Sequence, residues 1–256
     1  MRRDAATAGP VLALVESARI QFHLARRYPM MIVLNVVQPL ALLAIVLQRT
    51  DNGPRALGEL LISVLLTCYW GNIIWTAGGV LRRDRMSGTL ARTLLNAQDG
   101  RLIIVGRCLG AMVTSLVTLA ITSAAVLMVA QRPVELPGPA WLAMGFAGVA
   151  ISGTALGLLL ATALLHSRHG VEITAALMYP VFVFGGLLVP PEAVPAALRW
   201  LSWLISLSWA RDFMVHADWL AGLGLILTTA AYVAIGARLF QRTLDLARKE
   251  GTLDLV

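Results

Sequence analysis

From Leu102 to Ala130 the chain runs through turn after turn of apolar side chains broken by a single charge, Arg107, and comparable stretches recur along its length. A helix rises about 1.5 Å per residue, so about 20 such residues cross a hydrocarbon core of about 30 Å. Backbone amides in that medium must be bonded within their own segment, which makes helix the conformation for each crossing. The chain therefore reads as an all-α polytopic membrane protein. With 58% hydrophobic and only 14% charged residues among 256, it has no room for a sizeable soluble domain.

Breaker clusters and charges divide the apolar sequence into six spans, about 30–47, 57–81, 102–130, 140–165, 171–189 and 219–240, in one transmembrane domain over 1–256. The Asp51-Asn52-Gly53-Pro54 cluster ends the first, and Pro190-Pro191 ends the fifth. The first turns of the third span, with Arg101 and Arg107, are expected to stand in the cytoplasm or snorkel to it. Gly145, Gly148, Gly153 and Gly157 in the fourth allow close helix approach. Ahead of the spans, residues 11–28 form an amphipathic helix. Val11, Val15, Ala18, Phe22 and Ala25 make its apolar stripe, and the helix suits the cytoplasmic headgroup layer or the surface of a soluble subunit. Residues 193–215 are apolar but carry Pro195, Arg199, Arg211 and Asp212, which implies one or two short external re-entrant or interfacial helices before the last span.

Orientation follows from the basic residues. Sixteen lie on the side that holds the N-terminus and five on the other, so both termini are expected in the cytoplasm, in a cell (plasma or inner) membrane. Trp141, Trp200, Trp203, Trp209 and Trp219 all fall at the opposite face, as an aromatic belt would. The net charge of +7 is thus an orientation signal, and no nucleic-acid partner is expected. Residues 1–10 are polar and unlike a cleaved leader. Cys68 and Cys108 lie inside apolar stretches and read as small buried residues.

No HExxH, Gly-x-Ser-Gly or intramembrane aspartate pair is present, so the chain is not expected to be an enzyme. His166, His169 and Glu172 have only a loose metal-like spacing, and no metal is assigned to them. Span centres lack Asp, Glu, Lys and Arg, which disfavours coupling to an ion gradient. The single lysine, Lys249, has no glycine-rich phosphate cradle before it, so any ATPase must be another subunit. The segment suited to meet a partner is 84–98, expected as a cytoplasmic helix with Met86, Leu90 and Leu94 on one stripe and Gly88-Thr89 in its middle. A helix resting on the membrane surface would show the same pattern. Asn35, Gln38, Tyr69 and Asn72 are polar or aromatic groups inside the early spans, suited either to line a transport path or to bond helix to helix.

The run Arg82-Arg83-Asp84-Arg85-Met86-Ser87-Gly88-Thr89-Leu90-Ala91-Arg92-Thr93-Leu94-Leu95, with Arg101-Leu102 and Gly106-Arg107 after it, resembles the signature of ABC transporter permeases of the type 2 class. It lacks the usual glutamates before Gly-Thr and has Arg107 in place of a lysine. Gly185-Gly186-Leu187-Leu188-Val189-Pro190, then Pro195 and Leu198-Arg199-Trp200-Leu201, resemble that family's fifth span and external helices. The resemblance implies a permease subunit of an ATP-driven exporter of the daunorubicin-resistance or nodulation type. It would pair with a second copy or a paralogue and bind two ABC ATPase subunits, which carry ATP and Mg; the chain itself has no cofactor. Met86, Gly88, Thr89, Leu90, Leu94 and Leu95 would then form the ATPase-coupling contact. Apolar spans favour a hydrophobic or amphipathic cargo, a drug or antibiotic before a lipid or glycan. A non-transporting scaffold or sensor subunit is the alternative.

Overall fold

The computed structural model describes residues 9–25, 33–48, 53–89, 100–165, 169–184 and 194–250, and among them every regular element is helical. In chain order these are α1 (Pro10–Ala25), α2 (Val33–Gln48), α3 (Pro54–Met86), α4 (Gly100–Ala130), α5 (Pro139–Leu165), α6 (Gly170–Phe184), α7 (Trp200–Trp203), α8 (Ser206–His216) and α9 (Trp219–Glu250). Four of them, α3, α4, α5 and α9, are long and apolar enough to cross a membrane; α2 and α6 are shorter apolar helices. The expected second span is longer at both ends than 57–81. Segment 193–215 holds a 3-10 turn at Ala196–Leu198 followed by α7 and α8.

The centre of the protein is α3, whose side chains from Leu61 to Ile74 are almost all buried. It packs against α2, α4, α5 and α8. Small residues let α5 lie close to its neighbours, as the sequence pattern implied. A Cβ on Gly153 would stand 2.7 Å from the Tyr69 hydroxyl of α3, and one on Gly157 would collide with Ala77. Gly148 meets Leu225 of α9 in the same way. Outer faces stay apolar and exposed, Val117 and Ile121 on α4 and Leu223 and Ile226 on α9 among them, as lipid-facing helices require.

Of the apolar stripe of α1, Ala18 meets a neighbouring helix while Val11, Val15 and Phe22 do not face the bundle. The helix packs lengthwise on the first turns of α4, where Gly106 accepts Leu14 and Ser17 and Gly110 accepts Ala18. Ser17 and Gln21 are buried there, while Val11, Val15 and Phe22 remain exposed. At the opposite end of the molecule α8 closes over the bundle. Arg211 Nε donates to Ser63 Oγ of α3 at 3.0 Å, and Trp141, Phe213 and Trp219 stack edge to face with centroids 4.8 to 6.1 Å apart. Burial pushes the Asp212 carboxyl up, outweighing the attraction of Arg211 and His216.

Gly153→Val puts a branched side chain into the α3–α5 contact, an overpacking cost of about 1–3 kcal/mol, and a thermal midpoint lower by about 5 °C is expected for the detergent-solubilised protein. Gly138→Ala, whose Cβ would meet only Trp141 at 3.6 Å, should leave the midpoint unchanged in the same scan.

Candidate functional site

Helix α3 is not regular throughout. After Asn72 the turn widens over Ile73–Ala77, where Gly78 N donates to Ile73 O at 2.8 Å across five residues, and α-helix resumes at Val80–Met86. Arg83 folds back over this break: its Nη1 donates to Trp75 O at 3.0 Å and its Nη2 to Thr76 O. Gly79 makes the space, since a Cβ there would stand 2.8 Å from Arg83 Nη1 and 2.7 Å from Trp75 O. Helix α2 has a wide turn as well, over Val33–Val37, just ahead of Pro39. That widening relieves the clash a proline ring makes with the carbonyl four residues earlier.

The two interrupted helices are joined by their amides. Asn35 Nδ2 donates to Asn72 Oδ1 at 3.1 Å and Asn72 Nδ2 returns a bond to Asn35 Oδ1 at 3.2 Å. Asn72 also donates to Cys68 O and accepts from Thr76 Oγ1. Tyr69, fully buried, donates to Val149 O of α5 at 3.4 Å, and Gln38 is half-buried near Gly71. Three of the four residues considered for a transport path thus bond helix to helix inside this chain. Cys68 and Cys108 are buried and unpaired.

At the end of α3 the sequence expectation needs correcting. A single helix over 84–98 is not formed, because α3 stops at Met86 and Gly88 takes φ +66°. Thr89 N donates to Asp84 O at 2.9 Å and Gly88 N to Arg85 O at 3.1 Å, the paired bonds of a glycine-terminated helix. The Gly-Thr pair is therefore a helix stop. Met86 is 78% exposed just before it, and Ser87 and Thr89 share a hydroxyl contact at 3.1 Å. Leu90, Leu94 and Leu95 lie outside the described residues, as does His166; His169 and Glu172 are exposed.

Directly under this stop lies a contact that sequence reasoning missed. Arg107 does not snorkel: it is 9% exposed, and its Nη1 is ion-paired with the buried carboxylate of Asp84. Its Nε donates to Gln21 Oε1 of α1 at 3.3 Å. One guanidinium thus ties the end of α3, the start of α4 and α1 together. The signal was available in Asp84, the one acid within an arginine run, and in Arg107, placed between the two glycines on which α1 packs.

The end of α3 is thus a glycine-stopped helix end with Met86 exposed, held from beneath by Arg107 and continuous with the most buried helix among the described residues. A family profile, ABC-2 type transporter, matches residues 14–218, four-fifths of the chain, from within α1 to the end of α8. The chain belongs to the ABC-2 type transporter family. No curated protein matches it as a relative. Membership makes this ABC-2 chain an ABC-type membrane permease domain, a class that is typically a non-enzymatic transport subunit and associates with ABC ATPase partners.

Arg107→Met leaves the Asp84 charge buried without its partner, and a loss of about 3–5 kcal/mol is expected in denaturant titrations in mixed micelles. Asp84→Leu combined with Arg107→Met should recover most of it. Equal loss in the single and double variants would show that the cost comes from the other contacts of Arg107, such as that with Gln21, and not from an unpaired Asp84 charge.

Proposed function

We propose that this ABC-2 chain is the transmembrane subunit of an ATP-driven exporter, powered by two separate ABC ATPase subunits and dimerised with a second copy or a paralogue. It sits in the cell membrane with both termini cytoplasmic, so the Met86 end of α3 and the starts of α4 and α6 face the cytoplasm and α8 caps the outer side. In this arrangement α2 and α6 complete a six-span plan, and α1 presents Val11, Val15 and Phe22 to the headgroup layer. Its cargo is hydrophobic or amphipathic, a drug or antibiotic first and a lipid or glycan second, because the exposed helix faces are apolar.

The observation that carries the proposal is the stop at Gly88 above the Asp84–Arg107 pair. An ATPase seated on Met86 and on the residues after Gly88 displaces the end of α3. The brace to α1 and α4 makes three helix ends respond together, and the joint at Ile73–Ala77 lets the lower part of α3 tilt while the upper part stays packed. Coupling is assigned to Met86, Gly88, Thr89, Leu90, Leu94 and Leu95. Asn35, Tyr69 and Asn72 hold α2, α3 and α5 in register beside the moving part, and any contact they make with cargo requires those helices to separate.

Mild-detergent affinity purification from the native membrane, followed by mass spectrometry, tests this. A stoichiometric P-loop ATPase is expected, and Leu90→Asp with Leu94→Asp should abolish its recovery. Gly88→Val should weaken the association, because a β-branched residue strains at positive φ, while Gly88→Asn should retain it. An ATPase recovered equally with all these variants removes the coupling assignment. Recovery of a complex whose hydrolysis never responds to added cargo candidates turns the proposal toward a scaffold or sensor subunit.

A further inference from the structure

We propose that the groove between α4, α5 and α9 binds an acyl chain of an anionic phospholipid drawn from the leaflet on the arginine-rich side. This goes beyond the export reading and rests only on the membrane orientation given with it. The groove encloses about 450 Å³ and is walled by Val105 and Leu109 of α4, Ile151 and Leu158 of α5, and Val233 and Phe240 of α9. An apolar cavity of about 150 Å³ already stays dry and takes up a hydrocarbon, so a site of this size in a membrane fills with chain rather than water. Its polar groups do not ask for a polar ligand: Thr154 donates to Ala150 O at 2.7 Å, and Gln241 is exposed at one end.

Three features select the occupant. The groove opens sideways, since Ile151 and Val233 are each more than half exposed, so its mouth lies where lipid lies. From Val233 to Gln241 it extends eight residues along α9, about 12 Å, close to the roughly 15 Å of one leaflet's hydrocarbon. Arg238 and Arg242, one turn apart and exposed on α9, directly follow the groove residues Ala237 and Gln241 in sequence, at the level of its Gln241 end. A guanidinium pair at the polar end of an apolar slot is complementary to a phosphate headgroup on a hydrocarbon tail.

The test uses the full chain, without ATPase, in nanodiscs containing phosphatidylglycerol with a diazirine in mid-chain. After photolysis, labelled residues are mapped by mass spectrometry. Labels are expected to concentrate on Val105 to Leu109 and Ile151 to Leu158. Ala237→Phe, a change at an exposed position of the groove wall, should lower that labelling about tenfold. Arg238→Gln with Arg242→Gln should remove the preference for phosphatidylglycerol over phosphatidylcholine. Labels as dense at Ile121 and Leu223 as in the groove, or labelling unmoved by Ala237→Phe, would overturn the proposal. So would an Ile151→Cys variant that cross-links two chains and loses lipid labelling, because the occupant is then a second copy. None of these outcomes depends on whether an ATPase binds.

Discussion

A carbonyl buried among apolar side chains has to find a donor, and the whole arrangement around α3 follows from that demand. The helix is the most enclosed in the molecule, yet its regular bonding is interrupted in the middle. Arg83 makes the interruption tolerable by carrying two donors back to Trp75 and Thr76, and Gly79 is small enough to let it reach them. A guanidinium suits this place because its fixed fork can serve two acceptors at once while its charge stays toward the polar end of the span.

Just beyond the break, a second arginine performs a different task. Arg107 and Asp84 compensate each other's charge in a place neither would occupy alone, and Gln21 takes up a further donor. Burying two ions costs solvation that their attraction only partly returns, so the pair adds less to stability than to the choice of one arrangement among several. That choice fixes how the end of α3 sits against α4 and α1.

The sequence revealed the long apolar helices, the glycine contacts of α5 and the family signature, because each rests on composition or on a spacing within one element. It was less informative wherever partners come from distant parts of the chain. Asn35 and Asn72 were visible as polar residues inside spans, but no local pattern shows that they face each other. Arg107 was read as snorkelling because one helix alone offers it no acid, and the acid is 23 positions away. Gly88 was placed inside a helix because the apolar stripe of Met86, Leu90 and Leu94 continues across it in phase. Periodicity records which residues share a face and says nothing of a left-handed turn between them.

The wide turn in α3 also has a geometric consequence for everything after it. Each residue advances a helix by about 100°, so one extra residue in a turn rotates all later side chains by that angle relative to an unbroken helix. Asp84 lies after the widened turn and meets Arg107 from its rotated position. The meeting therefore depends on a count of residues seven to eleven places earlier, and the break works as a phase-setting insertion. It aims the end of α3 at the very helix that braces it.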